Sequence, residues 1–180
     1  MILYHGSPFL FDKFDLSGAG EGTGIKFGFG VYLTEAEASA VHYSQPRNLE
    51  LMLEHYLYTV KIPELTEDNY IMSALPVSLN SINKVEEKLG VNAPEKVKAQ
   101  GKEFRKWVGL SITGAKKNDF ASEKAAAELL NSLGVLYNVW PTAQTKPDGP
   151  KNIAVFDTTN IHIIKRERTE IETTCKKWVL

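Results

Sequence analysis

One cysteine, Cys175, is all the chain holds, so no intramolecular disulfide can form and no cysteine-rich zinc site can be built. Cysteine usage this sparse points to a reducing compartment. Long apolar runs are missing as well. No stretch approaches the ~18 residues of a membrane span, and no charged-then-apolar leader opens the chain. A cytoplasmic protein without membrane contact is therefore expected. The four histidines include no pair at metal-ligand spacing, so no metal site is expected. Glycines crowd Ser17 to Gly30 (Gly18, Gly20, Gly22, Gly24, Gly28 and Gly30), but none is followed by Lys-Ser or Lys-Thr, which excludes a Walker A phosphate loop. The run leads into a strand and not a helix, which excludes the dinucleotide fingerprint. A glycine-flanked serine elbow is absent too, which argues against a hydrolase with a covalent nucleophile.

What is present is enough apolar material, 43% of residues, to build a core without staples. A length of 180 residues makes one domain the default. Charge is uneven along the chain. Residues 95–117 carry Lys96, Lys98, Lys102, Arg105, Lys106, Lys116 and Lys117 against only Glu95 and Glu103. With Phe104 and Trp107 among them, this segment is either a polyanion contact or a solvated helix face with inward aromatics.

Ile2–Tyr4 reads as a short strand stopped by His5-Gly6-Ser7-Pro8, and Val31–Thr34 as a second. Thr34 can cap a helix that runs through Glu35 and Glu37 to about Tyr43. Tyr56–Ile62 alternates as a strand that Pro63 ends. From Leu65 to Asn118 the pattern is helical, with helices near Ser81–Leu89, Pro94–Ala99 and Lys102–Leu110. Ser122–Leu133 is expected as a helix with a Ser cap and Gly134 as its stop. Val135–Val139, Ile153–Phe156 and Ile161–Lys165 read as closing strands. Strands and helices mix without regular βαβ alternation, so the class is α+β.

The residues that folding does not explain lie in LYHGS (Leu3 to Ser7) and FGFGVYLTEAEASAVHYS (Phe27 to Ser44). A histidine after a buried strand is commonly a packed, hydrogen-bonded residue. Its company suggests more. Gly6 lets a flat ligand reach the main chain, whose N–H and C=O can pair with a carboxamide. Ser7 adds a hydroxyl. Tyr32 on a strand and Tyr43 on the following helix can wall an aromatic slot. Together they describe a nicotinamide site.

His5-Gly6-Ser7, the block Phe27 to Thr34, and Ala40-Val41-His42-Tyr43 resemble the first two motifs of the ADP-ribosyltransferases of the diphtheria-toxin and poly(ADP-ribose) polymerase class. The likeness is greatest to transferase domains of phage and mobile-element polyvalent proteins. It spans about residues 1–62 and 120–165, where Asn152 to Asp157 is similar to the family's closing strand.

The resemblance implies a split β-sandwich of two small, mostly antiparallel sheets with flanking helices. The whole chain, 1–180, is expected as a single domain with a helical insertion at about 65–118 and, outside the resemblance, a tail at about 167–180. The resemblance implies NAD as co-substrate and no metal. His5 is expected to hold the adenine-side ribose, Gly6 and Ser7 the carboxamide, and Tyr32 and Tyr43 the two ring faces. Ala40 replaces a serine that helps bind the carboxamide in poly(ADP-ribose) polymerases. Asn152 stands where many members carry the catalytic glutamate, and Gln144 or Asp148 is a candidate substitute.

The implied activity is transfer of ADP-ribose, mono rather than poly, to a protein or nucleic acid, as in a toxin or phage-related effector. An antitoxin or inhibitor partner would suit that setting. The basic segment tilts the acceptor toward nucleic acid. A non-catalytic NAD- or ADP-ribose-binding module and an NAD glycohydrolase are the alternative readings.

Overall fold

The structure is a computed structural model that describes residues 1–19, 25–44, 54–142 and 148–169. Seven strands are described: β1 (Ile2–Ser7), β2 (Val31–Thr34), β3 (His55–Lys61), β4 (Tyr70–Met72), β5 (Tyr137–Pro141), β6 (Lys151–Val155) and β7 (His162–Thr169). The helices are α1 (Glu37–Ser44), α2 (Leu79–Leu89), α3 (Glu95–Lys98), α4 (Gly101–Thr113) and α5 (Phe120–Ser132), with a 3-10 turn at Thr158–Asn160. The class is α+β.

The strands join in the order β4-β5-β6-β2-β1-β3-β7. The resemblance implies two small sheets, whereas the structure has one sheet held at its middle by a single residue pair. Strand β1 is paired with β3 along its whole length, yet meets β2 only at Tyr4↔Thr34. Two half-sheets, β4-β5-β6-β2 and β1-β3-β7, thus meet at a split beside His5 and Gly6.

Each face of the sheet has its own core. Leu3, Leu33, Tyr58, Val60, Val139 and Ile153 pack on one side with Phe14. Helices α2, α4 and α5 cover part of the other through Ile82, Phe104, Val108, Ala126 and Leu130, which pack with Phe29 and Ile71. Period-2 alternation sends successive strand residues to these opposite faces.

Several boundaries shift for local reasons. Strand β1 continues through His5-Gly6-Ser7 because β3 pairs with all of it. Thr34 Oγ1 accepts the Ala36 N–H at 3.1 Å, and the helix begins only at Glu37. Asp119, not Ser122, caps α5: its carboxylate accepts the Ser122 N–H at 2.8 Å. Within the expected helical insertion, Tyr70–Met72 forms a strand parallel to β5, and three residues are too few to show alternation. The expected tail begins as strand, since β7 runs to Thr169 on β3. Gly20, Gly22, Gly24, Gln144 and the end of the chain with Cys175 lie outside the described residues.

Candidate functional site

Register places the site residues. Tyr4, Thr34, Asn152 and Trp140 are successive partners across β1, β2, β6 and β5, and so share one face of the sheet. Tyr32 and Gly6, each two residues along from that row, share the same face. His5 belongs to the other face.

The split exposes main chain. The Glu35 N–H donates to Lys151 O on the β6 side, so Thr34 turns its amide groups toward β1. The Tyr4–Thr34 pair is therefore hydrogen-bonded, and alternation turns the N–H and C=O of Gly6 toward β2 as well. Continuing the register would set Tyr32 opposite Gly6, but the Tyr32 carbonyl is taken by His5 Nδ1 at 2.8 Å. A donor and an acceptor on the same edge are thereby left facing the gap, the pattern that pairs with a carboxamide.

Helix α1 closes over this edge. A Cβ at Gly6 would fall inside the Ala40 carbonyl oxygen and lie 2.7 Å from Ser44 N, so only glycine lets the helix approach. Tyr43 stands at this helix's rim, 61% exposed, with its ring edge on His42 at 5.6 Å. Ser7 is buried, and its Oγ accepts the Phe9 N–H at 3.0 Å, which fixes the turn after β1.

The imidazole of His5 is enclosed by aromatic edges, with Phe14 at 5.1 Å and Phe11 and Tyr58 at 6.2 Å, although the residue as a whole is half-exposed. A carbonyl can only accept, so Nδ1 carries the proton and Nε2 presents a lone pair. Burial pushes the imidazole below its ordinary range, outweighing the Tyr32 carbonyl, which favours the charged ring. The neutral ring can accept a hydroxyl hydrogen at Nε2.

A pH dependence follows. Above about pH 6.5 His5 is neutral folded or unfolded. Below it the unfolded chain takes up a proton that the folded one resists, so stability falls as the pH drops toward the depressed folded value. Urea midpoints between pH 7.5 and 5 should decline, and His5→Asn should flatten part of that slope; an unchanged slope in the variant would show that burial of His5 is not its source.

Tyr32 is organised by the loop before it. Its hydroxyl donates to Gly28 O at 2.7 Å and accepts the Phe27 N–H at 3.2 Å, and its ring meets Trp140 edge-on at 5.4 Å. Burial raises the phenol, opposed by the Phe27 N–H and the charge of Arg105. Phe27 stacks on Trp140 at 4.3 Å. Gly28, at φ 103°, sits where a Cβ would lie 3.0 Å from Arg105 Nη1. Asn152 is half-buried, and its side chain has no hydrogen bond among the described residues. Asp148 is exposed.

The split and its surroundings thus bring Gly6, Tyr32 and Asn152 to one face, pack α1 against Gly6 through Ala40 and Ser44 with Tyr43 exposed on that helix, and admit His5 from the other side. Trp140 was not legible as a site residue, since an aromatic at a strand end is ordinary. Arg105 read as one of several surface cations, yet it is buried in an ion pair with Glu123. Lys98 pairs with Glu86 and Glu95, and Lys106 with Glu103. Phe104 is fully buried and Trp107 packs on the helical core. Lys96, Lys102, Lys116 and Lys117 are the basic side chains of the segment without an ion pair among the described residues.

Two surface grooves, one lined by Lys84, Glu87, Lys88 and Leu133 and one around Leu79, Ile82 and Lys98, lie on the helical layer and touch none of the site residues. Among the described residues no group of three or more His, Cys, Asp or Glu could hold a metal, and no helix is long and apolar enough to cross a membrane. No family model, curated protein or solved structure matches this chain.

Proposed function

We propose that this protein is an NAD-dependent ADP-ribosyltransferase that cleaves the nicotinamide–ribose bond and passes a single ADP-ribose to a macromolecular acceptor. The observation that carries the reading is the open main-chain edge of Gly6 at the β1–β2 split, roofed by a helix that bears Tyr43. Gly6 N–H and C=O take the carboxamide, Tyr43 stacks on the nicotinamide ring, and Tyr32 closes the opposite side. His5 Nε2 accepts from a ribose hydroxyl. Holding the substrate this way presents its anomeric carbon to the acceptor, which supplies the orientation part of the rate.

The acceptor is a protein or a nucleic acid. For a nucleic acid, Lys96, Lys102, Lys116 and Lys117 are the cations free to meet phosphate. The setting that suits such an activity is that of a toxin or phage-related effector acting in a cytoplasm.

Incubating the folded protein with NAD labelled in the adenylate, with lysate, DNA and RNA as acceptors, should release nicotinamide and label one of them. Absence of both would remove the reading. Tyr43→Ala should weaken NAD binding by about 1–3 kcal/mol, the usual worth of stacking a base on an aromatic ring. Thermal stability should stay unchanged, because the ring is exposed; calorimetry and a melting curve check the two halves.

The neutral Asn152 favours a second reading, a module that binds NAD or ADP-ribose without turning it over. Saturable NAD binding with no nicotinamide released over hours would select it. Nicotinamide release with no labelled acceptor would instead select the glycohydrolase.

A further inference from the structure

Breaking the nicotinamide bond places positive charge on the ribose, which a neutral amide at Asn152 offsets poorly and a carboxylate offsets well. A carboxylate is at hand just past the end of the neighbouring strand β2. Glu35 directly follows Thr34, the residue paired with Asn152. Its main-chain N–H donates to Lys151 O at 2.9 Å, and its Oε2 accepts the Lys151 N–H at 2.8 Å. The carboxylate therefore stands in the place of a strand carbonyl at the first residue of β6, one residue from Asn152. Glu35 is half-buried, and its Oε1 makes no hydrogen bond among the described residues. One oxygen is anchored by main chain, and the other is left open to a ligand.

We propose that Glu35 supplies the carboxylate of this site, touching the nicotinamide ribose of NAD and stabilising the cation formed there, while Asn152 hydrogen-bonds a ribose hydroxyl. The inference rests on the transferase reading above. In the step, the bond between the ribose C1′ and the pyridinium nitrogen breaks, and its electron pair leaves with neutral nicotinamide. A lone pair of the acceptor closes on C1′, and the acceptor's proton passes to water.

Glu35→Gln keeps an oxygen to accept the Lys151 N–H, so folding should survive. Nicotinamide release should fall by about 100- to 1,000-fold, with the dissociation constant for NAD changed by less than about threefold. Adding Asn152→Glu to that variant should restore activity at least tenfold. Full turnover in Glu35→Gln would overturn the role of Glu35 and leave the transferase reading standing. So would a variant that loses melting temperature and NAD affinity while kcat is kept. A wild-type protein that binds NAD yet releases no nicotinamide would remove both.

Discussion

Arg105→Met should lower the folding free energy by about 3–5 kcal/mol, because it strands a buried carboxylate. Arg105 and Glu123 are each 1% exposed, so solvent does not screen their pairing. The guanidinium Nε and Nη2 make no hydrogen bond among the described residues, while Glu123 Oε1 accepts from Asn118 Nδ2 at 2.8 Å. Burial pushes Arg105 down to about 10, with the charges of Tyr32 and Glu103 opposing it, and the group remains charged at neutral pH. Removing it leaves Glu123 without its counter-ion in the crossing of α4 and α5. For a chain of this size the melting temperature should drop by about 6–20 °C. The double variant Arg105→Met/Glu123→Leu should recover most of the loss, since an apolar pair of similar volume often serves as well as a buried ion pair. A single variant that loses less than about 1 kcal/mol, read from urea unfolding, would show that the pair is not stabilised as described. Because Arg105 also lies against Gly28, whose carbonyl holds the Tyr32 hydroxyl, NAD binding should weaken along with stability.

Gly6→Ala should reduce NAD affinity by tenfold or more, about 1.4 kcal/mol at the least, and cost about 1–3 kcal/mol of stability. The added methyl meets main chain, the Ala40 carbonyl and Ser44 N, which cannot turn aside as a flexible side chain could. Relief requires α1 to lift from β1. That moves Tyr43 away from the edge where Gly6 presents its amide groups. Calorimetry against NAD and urea unfolding on the same preparation separate the two effects. Unchanged affinity in a destabilised variant would mean that α1 is a structural brace and not the roof of the site.

Part of this site could be read along the chain. His5-Gly6 at a strand end, Tyr32 between glycines and strand, and Tyr43 on the next helix are local facts of residue type and period. The structure adds the reason Gly6 must be glycine, which is the approach of a helix, and the reason its main chain is open, which is the loss of the β1–β2 ladder after one pair. Other elements were hidden. Arg105 follows Phe104 in a run of cations, and nothing in the run marks it as the one turned inward; only Glu123 on another helix does so. Glu35 reads as a helix residue until β6 arrives beside it. Strand β4 is three residues long and pairs with β5 from far along the chain, so neither its length nor its neighbours declare it.

The sequence by itself determined the α+β class and the approximate positions of most strands and helices, since these follow from short-range periodicity and capping. The tertiary structure alone decided that two half-sheets share a single residue pair, that Arg105 of α4 is buried, and that the Glu35 carboxylate holds the Lys151 N–H next in chain to Asn152. Each depends on contacts between residues distant in the chain, whose free energy no local pattern encodes.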